Sequence, residues 1–359
     1  MRILQLIDTL ESGGAERMAA NIANGLAKQE GITSFLCTTR KEGTLKTTIT
    51  DSVGYLFLNK RKAIDISATK RLYTFIKTHR IHIIHAHSSS FFLASIIKLL
   101  NPNIKLVWHD HYGNSEFLIS RKHYILKWCA RYFSHTFSVT QTLQAWGIKN
   151  LKINSNSISY LPNFPKIDNQ LKETKLKGNH KKRIVCLANF RAQKDHITLL
   201  KSFKKIIADY PNWTLHCVGN HFNDTYFETI KNEIINLNLD NNVFLYHDKQ
   251  DIYNILTQCD IGVLSSKSEG LPLALLEYGI AKLAVIASNV GECSNVINTL
   301  NGIITPPENS NALHAAMDFY IKNEKTRIEH AIQYHDTIIK HYSENKYITH
   351  LVSTYENLS

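Results

Sequence analysis

The most restrictive feature of this sequence is an order of short apolar runs and longer helix-like segments that occurs twice. The first series extends from about Ile3 to Val139, and the second begins at Arg183 and continues beyond Ala287. Short apolar runs that alternate with segments of helical periodicity are typical of a parallel sheet covered by helices on both faces. The sequence therefore predicts an α/β protein with two doubly wound, Rossmann-like domains facing a cleft, with ligands at the carboxyl ends of the strands.

The individual elements follow from the spacing of apolar residues and from turn signals. In the first half the predicted strands are Ile3–Ile7, Thr33–Thr38, Ile81–Ala86, Lys105–Trp108 and His135–Val139, and the predicted helices are Ala15–Lys28, Ser67–Thr78, Ser90–Leu100 and Arg121–Phe133. In the second half they are strands Arg183–Leu187, Trp213–Val218, Val243–Tyr246, Ile261–Leu264 and Ala284–Ala287, and helices Ile197–Asp209, Thr225–Asn236, Ile252–Gln258, one from about Leu273, and a last helical region over about Glu329–Asn357.

The segment 162–182 interrupts this order. It contains Pro162 and Pro165, many Lys and Asn residues and few large apolar ones. Such a composition is typical of an interdomain linker. The predicted division is an N-terminal Rossmann-like domain, a C-terminal Rossmann-like domain, and a C-terminal helix that crosses back to the first domain, over 1–165, 166–335 and 336–359 respectively.

Charge is distributed unevenly. Residues 1–165 hold 21 Lys/Arg and 9 Asp/Glu, which accounts for the whole formal net charge of +12. This asymmetry indicates an anionic partner of the first half: a membrane surface, an anionic acceptor or a nucleic acid. No zinc-finger, RNP-like or helix-turn-helix pattern occurs, which argues against nucleic acid.

Basic and aromatic residues alternate on the predicted helix Arg121–Phe133, which suits an interfacial helix. Further basic clusters stand at Lys60-Arg61-Lys62 and Lys70-Arg71. The alternative is a solvated basic face that only keeps the chain in solution. We expect a cytoplasmic protein, peripheral on the inner face of the plasma membrane.

The cysteines and apolar runs limit the class further. All six cysteines stand singly in apolar stretches, where reduced core cysteines are the rule, and this suits a reducing compartment. No apolar run approaches the roughly 20 residues that span a bilayer. Neither a CxxC pair nor an Asp-x-Asp pair in a plausible loop is present, so no metal site is expected.

Three motifs stand at strand ends. In Ser12-Gly13-Gly14-Ala15-Glu16, Gly13 and Gly14 let a ligand approach the backbone at a helix start, although a plain strand-to-helix turn explains them equally well. In Asn189-Phe190-Arg191-Ala192-Gln193-Lys194, two cations on one loop can hold a diphosphate, whereas the alternative is a solvated basic loop.

The third motif, Ser268–Glu277, places two carboxylates, Glu269 and Glu277, eight residues apart around the turn Gly270-Leu271-Pro272 that opens an apolar helix. Carboxylates accept hydrogen bonds from sugar hydroxyls, and helix N–H groups face phosphate. The alternative is a helix-start acid followed by a solvated helix residue.

Together these motifs resemble the family 4 glycosyltransferases, retaining enzymes of the GT-B fold, over nearly the whole chain. Ala287–Glu292 resembles the strand-to-loop segment of that family, with Glu292 where many members have a second glycine. The resemblance implies that Arg191 and Lys194 hold the donor diphosphate and that Glu269 binds hydroxyls of the transferred sugar. It further implies that Glu277 binds the ribose and that Gly14 lets the backbone reach the donor phosphate. No metal or other cofactor is implied, because the nucleotide-sugar is a substrate and the two cations replace a metal.

A fourth motif, Trp108–Gly113, stands where family members often have a functional histidine. His109 aligns best with it and would contact the transferred sugar, with His111 as the rival. On the acceptor side we expect His85, His87, Asp110 and His111, although these residues suit an ordered loop as well.

The function that these observations predict is the retaining transfer of a hexosyl or N-acetylhexosaminyl group from a nucleotide-diphosphate sugar. The expected acceptor is a glycan or lipid-linked glycan of bacterial surface polysaccharide synthesis. The alternatives are a non-transferring sugar-nucleotide enzyme on the same fold, such as an epimerase or phosphorylase, and a basic nucleic-acid-binding protein.

Overall fold

Two parallel sheets organise the chain, each within its own compact unit. The computed structural model describes residues 1–166, 171–221, 225–247 and 249–358. One unit comprises Met1–Phe164 with Glu344–Ser359, and the other comprises Pro165–Ser343.

The sheet of the first unit has seven parallel strands in the order β3-β2-β1-β4-β5-β6-β7. Its strands are β1 Arg2–Thr9, β2 Thr33–Lys41, β3 Gly54–Phe57, β4 Ile83–His87, β5 Lys105–Asp110, β6 His135–Ser138 and β7 Ile158–Tyr160. The helices among them are α1 Gly14–Ala27, α2 Ile66–Thr78, α3 Phe91–Leu100, α4 Tyr124–Ala130 and α5 Gln141–Trp146.

Successive strands add to one side of β1 up to β3, and the chain then returns to the other side of β1 with β4. Apolar side chains of adjacent strands, such as Leu4, Phe35 and Ile84, pair across this centre in parallel register. All three are buried in one core with Trp108 of β5. The reversal creates a switch point between β1 and β4, which is where ligands of open α/β sheets bind.

The second sheet has six parallel strands in the order β10-β9-β8-β11-β12-β13. Its strands are β8 Arg183–Leu187, β9 Thr214–Val218, β10 Val243–Tyr246, β11 Ile261–Leu264, β12 Ala284–Ser288 and β13 Ile303–Thr305. The helices are α6 His196–Asp209, α7 Thr225–Asn236, α8 Ile252–Leu256, α9 Leu273–Ile280, α10 Cys293–Val296, α11 Ser310–Lys322 and α12 Glu324–His341. The switch point of this sheet lies between β8 and β11.

A buried tyrosine fixes α9 against this switch point. The Tyr278 hydroxyl accepts a hydrogen bond from the Leu187 N–H at 2.7 Å and donates one to the Val263 carbonyl at 3.2 Å. Its ring occupies the space above Gly262, where an added Cβ would meet ring atoms at 2.6 Å. A larger residue at 262 would therefore displace α9 and the loop that precedes it.

The last helix, α13 Glu344–Leu358, belongs to the first unit. The sequence predicted one helical region over about Glu329–Asn357 and a third segment beginning at 336. The structure corrects both, because α12 ends at His341 within the second unit and α13 begins three residues later. The backbone therefore breaks between α12 and α13, so two helices with two different packing surfaces replace one.

The remaining differences are helix α11, Ser310–Lys322, which is not predicted from the sequence, and several short elements. Strands β3, β7 and β13, of three or four residues each, are not predicted from the sequence. The predicted helix Arg121–Phe133 is shorter in the structure, and α4 covers only Tyr124–Ala130. Arg121 is instead held by an ion pair, described below. The described part of the predicted linker 162–182 has neither helix nor strand.

Candidate active site

The structure brings two of the predicted motifs together at the switch point of the second sheet. Residues 189–194 follow β8, and residues 268–272 follow β11. These two strands are hydrogen-bonded neighbours, with Ile261 opposite Ile184 in parallel register. Their carboxyl ends therefore lie side by side, and motifs about 75 residues apart in sequence form one site.

The centre of this site is an ion pair between two residues predicted to bind the donor. The Lys194 Nζ lies 2.5 Å from the Glu269 Oε1, and their side chains are 20% and 5% exposed. The Ser266 hydroxyl donates a second hydrogen bond to the same carboxylate oxygen at 2.6 Å. A nearly buried carboxylate needs such partners, because removing it from water is costly. Glu269 is thus oriented from two sides.

Backbone hydrogen bonds join the two loops. The Lys267 N–H donates to the Gln193 carbonyl at 2.8 Å, and the Gln193 side-chain amide donates to the Ser268 carbonyl at 2.7 Å. The Ser265 hydroxyl donates to the Lys194 carbonyl at 3.0 Å. Because both loops are held by mutual contacts, the lysine and the carboxylate are preorganised.

Arg191 differs from Lys194 in its surroundings, since its side chain is exposed. Its guanidinium stands on the same loop, three residues from the lysine. Asn189 fixes the start of this loop, because its side-chain oxygen accepts from the Asn220 N–H at 2.9 Å. Sequence reasoning missed Gly219, where an added Cβ would lie 2.2 Å from the Ala188 carbonyl. A glycine directly after a strand was the available signal.

The turn Gly270-Leu271-Pro272 leads into α9, whose N-cap is Pro272, a residue without a capping side chain. The backbone at Gly291 packs closely against this turn. Its φ is +54°, and an added Cβ would lie 2.4 Å from the carbonyl oxygens of Glu269 and Gly270. Gly291 is therefore required both by its left-handed backbone and by the close approach of the loop. Glu277 lies on α9, half-buried, within the same unit.

The two glycines after β1 have different surroundings. Gly13 is the N-cap of α1, and a Cβ there would lie 2.1 Å from a carboxylate oxygen of Glu16. Gly14 is exposed, and a Cβ there would meet nothing within 4 Å. A Cβ at 13 would only have to displace the end of the flexible Glu16 side chain, so packing within the chain does not require glycine at either position. The open backbone at Gly14 is compatible with the predicted approach of a ligand.

Four histidines form a stack on one face of the first sheet. His85, His87 and His109 are fully buried, whereas His111 is half-buried. The rings of His109 and His111 lie 4.0 Å apart between centroids. Burial holds the pKa of His109 well below its usual value and lowers that of His111 to about 3, so both are neutral. Of the two candidates for a sugar contact, only His111 reaches the surface.

Asp110, expected on the acceptor side, is instead 2% exposed and engaged in a bidentate pair with Arg121, at 2.7 and 2.9 Å. The guanidinium of Arg121 lies 4.3 Å from the ring centroids of both Tyr112 and Trp146. Arg121 is therefore an internal residue and not part of a basic surface. The same correction applies to Lys60, which is 7% exposed and donates to carbonyls of its own loop.

Comparison with known proteins agrees with this geometry. The family model described as Glycosyl transferases group 1 matches residues 168–335, and that described as Glycosyltransferase Family 4 matches residues 12–168. An uncharacterized glycosyltransferase of Haemophilus influenzae is 25% identical over 332 residues, covering 89% of each chain. A UDP-Gal:alpha-D-GlcNAc-diphosphoundecaprenol alpha-1,3-galactosyltransferase of Escherichia coli is 25% identical over 317 residues, covering 81% of this chain and 80% of that one.

Among solved structures, HepE of Anabaena in complex with UDP and glucose matches with a TM-score of 0.82 at 16% identity, covering 99% of this chain and 100% of that one. Two units with parallel, Rossmann-like sheets, together with these matches, define a glycosyltransferase of the GT-B fold. This chain belongs to the family 4 glycosyltransferases. The predictions of fold class and family are confirmed. Of the helices that the structure describes, none has the length and apolarity needed to cross a membrane.

Proposed function

We propose that this protein transfers a hexosyl or N-acetylhexosaminyl group, with retention of configuration, from a nucleotide-diphosphate sugar to a lipid-linked glycan during bacterial surface polysaccharide synthesis. The observation that carries the proposal is the convergence of Arg191, Lys194 and Glu269 at the switch point of the second sheet. The name of the Escherichia coli relative, which acts on a diphosphoundecaprenol-linked sugar, supports the class of acceptor.

Each donor-side residue has a role that its chemistry suits. Arg191 and Lys194 would neutralise the diphosphate as it departs with the electron pair of its bond to the sugar C1. A new bond then forms between C1 and the acceptor oxygen, and the hydroxyl proton of the acceptor passes to the departing phosphate. Such preorganised cations act mainly on the charge that develops in the transition state. Glu269 would accept hydrogen bonds from sugar hydroxyls, and Glu277 from the ribose.

The ion pair between Lys194 and Glu269 has a consequence for donor binding. In the structure Lys194 is paired with Glu269 at 2.5 Å. A diphosphate would compete with that carboxylate for the lysine, while sugar hydroxyls would donate hydrogen bonds to Glu269 in its place. Donor binding therefore exchanges one set of partners for another, without leaving either charge unpaired.

On the side of the first unit we propose that His111 contacts the sugar or acceptor and that His109 positions it. The stacked rings, 4.0 Å apart, limit the orientation of the half-buried His111. A neutral imidazole donates one hydrogen bond and accepts another, which suits a hydroxyl group.

We also propose that transfer proceeds without a metal, because two cations on one loop already face the diphosphate. Activity should survive chelation with EDTA. Complete loss of activity that Mg²⁺ or Mn²⁺ restores would contradict this part of the proposal.

The acceptor side of the proposal includes an anionic membrane surface. The exposed apolar residues of segment 117–128 are Phe117, Ile119, Tyr124, Ile125 and Trp128, with relative exposures from 44% to 105%. Exposed Lys122, Lys127 and Arg131 lie in or beside this segment, and Glu116 is the acid nearest to it in sequence. Exposed basic and aromatic residues in one segment are typical of segments that bind at a membrane interface.

The decisive experiment is a transfer assay with UDP-, GDP-, ADP- and dTDP-sugars and a diphosphate-lipid-linked acceptor, with the anomeric configuration of the product read by NMR. Retention together with strong loss of turnover in Arg191→Ala is the expected result. An inverted product would overturn the stereochemical claim. Hydrolysis or epimerisation of the donor without transfer would overturn the proposed reaction.

A further inference from the structure

Three of the stacked histidines, His85, His87 and His109, lie closer together than the proposed positioning of His111 by His109 requires. His85 and His87 are two residues apart on β4, so their side chains lie on the same face of the sheet. His109 on β5 stands opposite His87 in the parallel register. One nitrogen from each ring can be chosen so that all three lie within 4.8 Å of one another.

Within the part of the chain that the structure describes, both ring nitrogens of His87 have hydrogen-bond partners, whereas the other two histidines of the group have polar atoms that the surrounding protein does not satisfy. All three side chains are 0% exposed. Among the described residues, the Nε2 of His85 and both ring nitrogens of His109 lack a hydrogen-bond partner of ordinary geometry. The backbone at Leu161 approaches His109 closely enough to affect its pKa, which leaves at least one of its nitrogens unused. Because buried polar atoms are nearly always paired, these orphaned nitrogens indicate a missing partner.

The other ring nitrogens have the partners that ligating histidines usually have. The Nε2 of His87 lies 2.8 Å from the Gln5 side-chain oxygen, and the Nδ1 of His85 lies 2.6 Å from the Tyr355 hydroxyl. Gln5 is on β1 and Tyr355 is on α13. Outer hydrogen bonds of this kind set the tautomer and orient a ligating imidazole.

From this geometry we infer a zinc site formed by His85, His87 and His109. Three histidines on two adjacent strands, with His85 and His87 two residues apart on β4, supply three neutral nitrogen ligands, a set that zinc accepts. His111 lies on the remaining side, with its Nε2 3.0 Å from the Nδ1 of His87, and can complete the coordination or adjoin a water ligand. The inference concerns the first unit alone and does not depend on the proposed transfer reaction.

Ligation requires a local rearrangement. A tetrahedral ion about 2.1 Å from each nitrogen holds the ligands about 3.4 Å apart, and in the structure the three nitrogens lie within 4.8 Å of one another. The three rings lie within 27° of parallel, so rotation about side-chain bonds must turn their nitrogens toward a common point.

The role of such an ion would be to join strands and helix. The ligands come from β4 and β5, and the outer partner Tyr355 comes from α13, which closes the first unit at the other end of the chain. Metal binding to the native state alone stabilises it by mass action. Zinc would therefore raise the midpoint of thermal unfolding without being a reactant.

The test measures metal content and binding in the full chain, freed of any affinity tag. We expect about one zinc per chain by elemental analysis, and visible absorption bands of tetrahedral cobalt when Co²⁺ replaces zinc in the metal-free protein. Zinc added to the metal-free protein should raise the unfolding midpoint, and Mg²⁺ should not. The double variant His85→Gln/His87→Gln should lose the stoichiometric zinc and the cobalt bands.

The matched control is His135→Gln, which removes a half-buried histidine of the same sheet whose Nε2 lies 2.8 Å from the Ser159 hydroxyl. It should retain zinc and the cobalt bands. Equal zinc binding by the wild type and the double variant would assign the metal to surface histidines and overturn the inference. If the double variant does not fold, the wild-type protein provides the test. The inference is also overturned if the wild type binds no zinc, shows no cobalt bands and has an unfolding midpoint that zinc does not change.

Discussion

At the switch point of the second sheet, charged groups face one another, whereas at that of the first sheet the buried groups are neutral histidines. Lys194 and Glu269 form an ion pair with 20% and 5% exposure. His85, His87 and His109 are fully buried with strongly lowered pKa values. The same sheet topology thus supports two kinds of polar site. The difference shows that the second site presents a cation suited to an anionic ligand, whereas the first presents neutral hydrogen-bond donors and acceptors.

The largest effect should come from breaking the charged site. Lys194→Ala should lower kcat/KM by about 10²–10³-fold, because a preorganised cation facing the departing diphosphate is lost. It should also lower the free energy of unfolding by about 2–3 kcal/mol, since the Glu269 carboxylate remains nearly buried without its cation. Steady-state kinetics and urea unfolding measure the two effects.

Two variants separate these effects. Lys194→Ala combined with Glu269→Gln should regain stability but not turnover, because no buried charge remains unpaired. Arg191→Ala should lose turnover with unchanged stability, since the Arg191 side chain is exposed. Wild-type turnover by both Lys194→Ala and Arg191→Ala would contradict the proposal that these two cations bind the donor diphosphate.

The next effect concerns the basic surface of the first unit. Changing Lys122, Lys127 and Arg131 together to Glu should weaken binding to anionic vesicles by about 3 kcal/mol, at about 1 kcal/mol for each basic residue near the surface. Co-sedimentation at low salt measures this, and added salt should weaken the wild type toward the variant.

Arg121 is left out of this set because it is internal. A matched control changes Lys201, Lys322 and Lys325 of the second unit to Glu, which alters the net charge equally and should leave vesicle binding unchanged. Equal binding of the wild type to neutral and anionic vesicles would refute the membrane contact and leave the transferase assignment intact.

A smaller effect concerns the second unit, where a buried neutral histidine should lower stability at acidic pH. His196 is fully buried between Phe190 and Tyr226, and burial, with a contribution from Lys194, lowers its pKa to about 3. The unfolded chain takes up a proton near pH 6.5 and the folded one does not, so this residue costs stability as the pH falls below that value.

Between pH 7 and pH 5 the wild type should therefore lose about 2 kcal/mol more than His196→Leu. Denaturant unfolding of both proteins at the two pH values measures the difference. Parallel losses would show that His196 is protonated in the folded state or accessible to water.

The smallest effect should distinguish the two carboxylates of the second unit. Glu277→Gln should weaken the binding of a bare nucleotide diphosphate about tenfold, which is about 1.4 kcal/mol, because the ribose loses a charged acceptor. Glu269→Gln should not weaken this affinity, because it removes the charge that competes for Lys194, and it should lower turnover, since its proposed partner is the sugar. Isothermal titration calorimetry measures both affinities, and equal losses would show that the two roles are misassigned.

The sequence predicted the architecture well because the pattern that encodes it is local. Strand β8 and helix α7 have the predicted bounds, Arg183–Leu187 and Thr225–Asn236. The period of apolar residues distinguishes strand from helix within a few residues. The helical region over about Glu329–Asn357 was wrong as one element, since the local pattern continues across the break between α12 and α13.

For the candidate site, the sequence identified residues at strand ends but not their partners. Arg191, Lys194 and Glu269 stand where the motifs put them, whereas the pairing of Lys194 with Glu269 depends on β8 and β11 being neighbours. Arg121 and Lys60 were assigned to a basic surface from charge alone. A single sequence does not show that Asp110 lies within hydrogen-bonding distance of Arg121, or that carbonyls of the loop 61–63 accept hydrogen bonds from Lys60.

What the sequence by itself determined is the order of the elements, the two doubly wound sheets, the glycine turn after β1 and the chemistry available at each strand end. These depend on contacts within a few residues. Only the tertiary structure decided which charges are internal and that the Glu269 carboxylate is paired. It also brought the histidines of β4 and β5 beneath Tyr355 of α13. The physical reason is that burial and ion pairing arise between residues far apart in sequence, and their positions are set by sheet order and helix packing rather than by local periodicity.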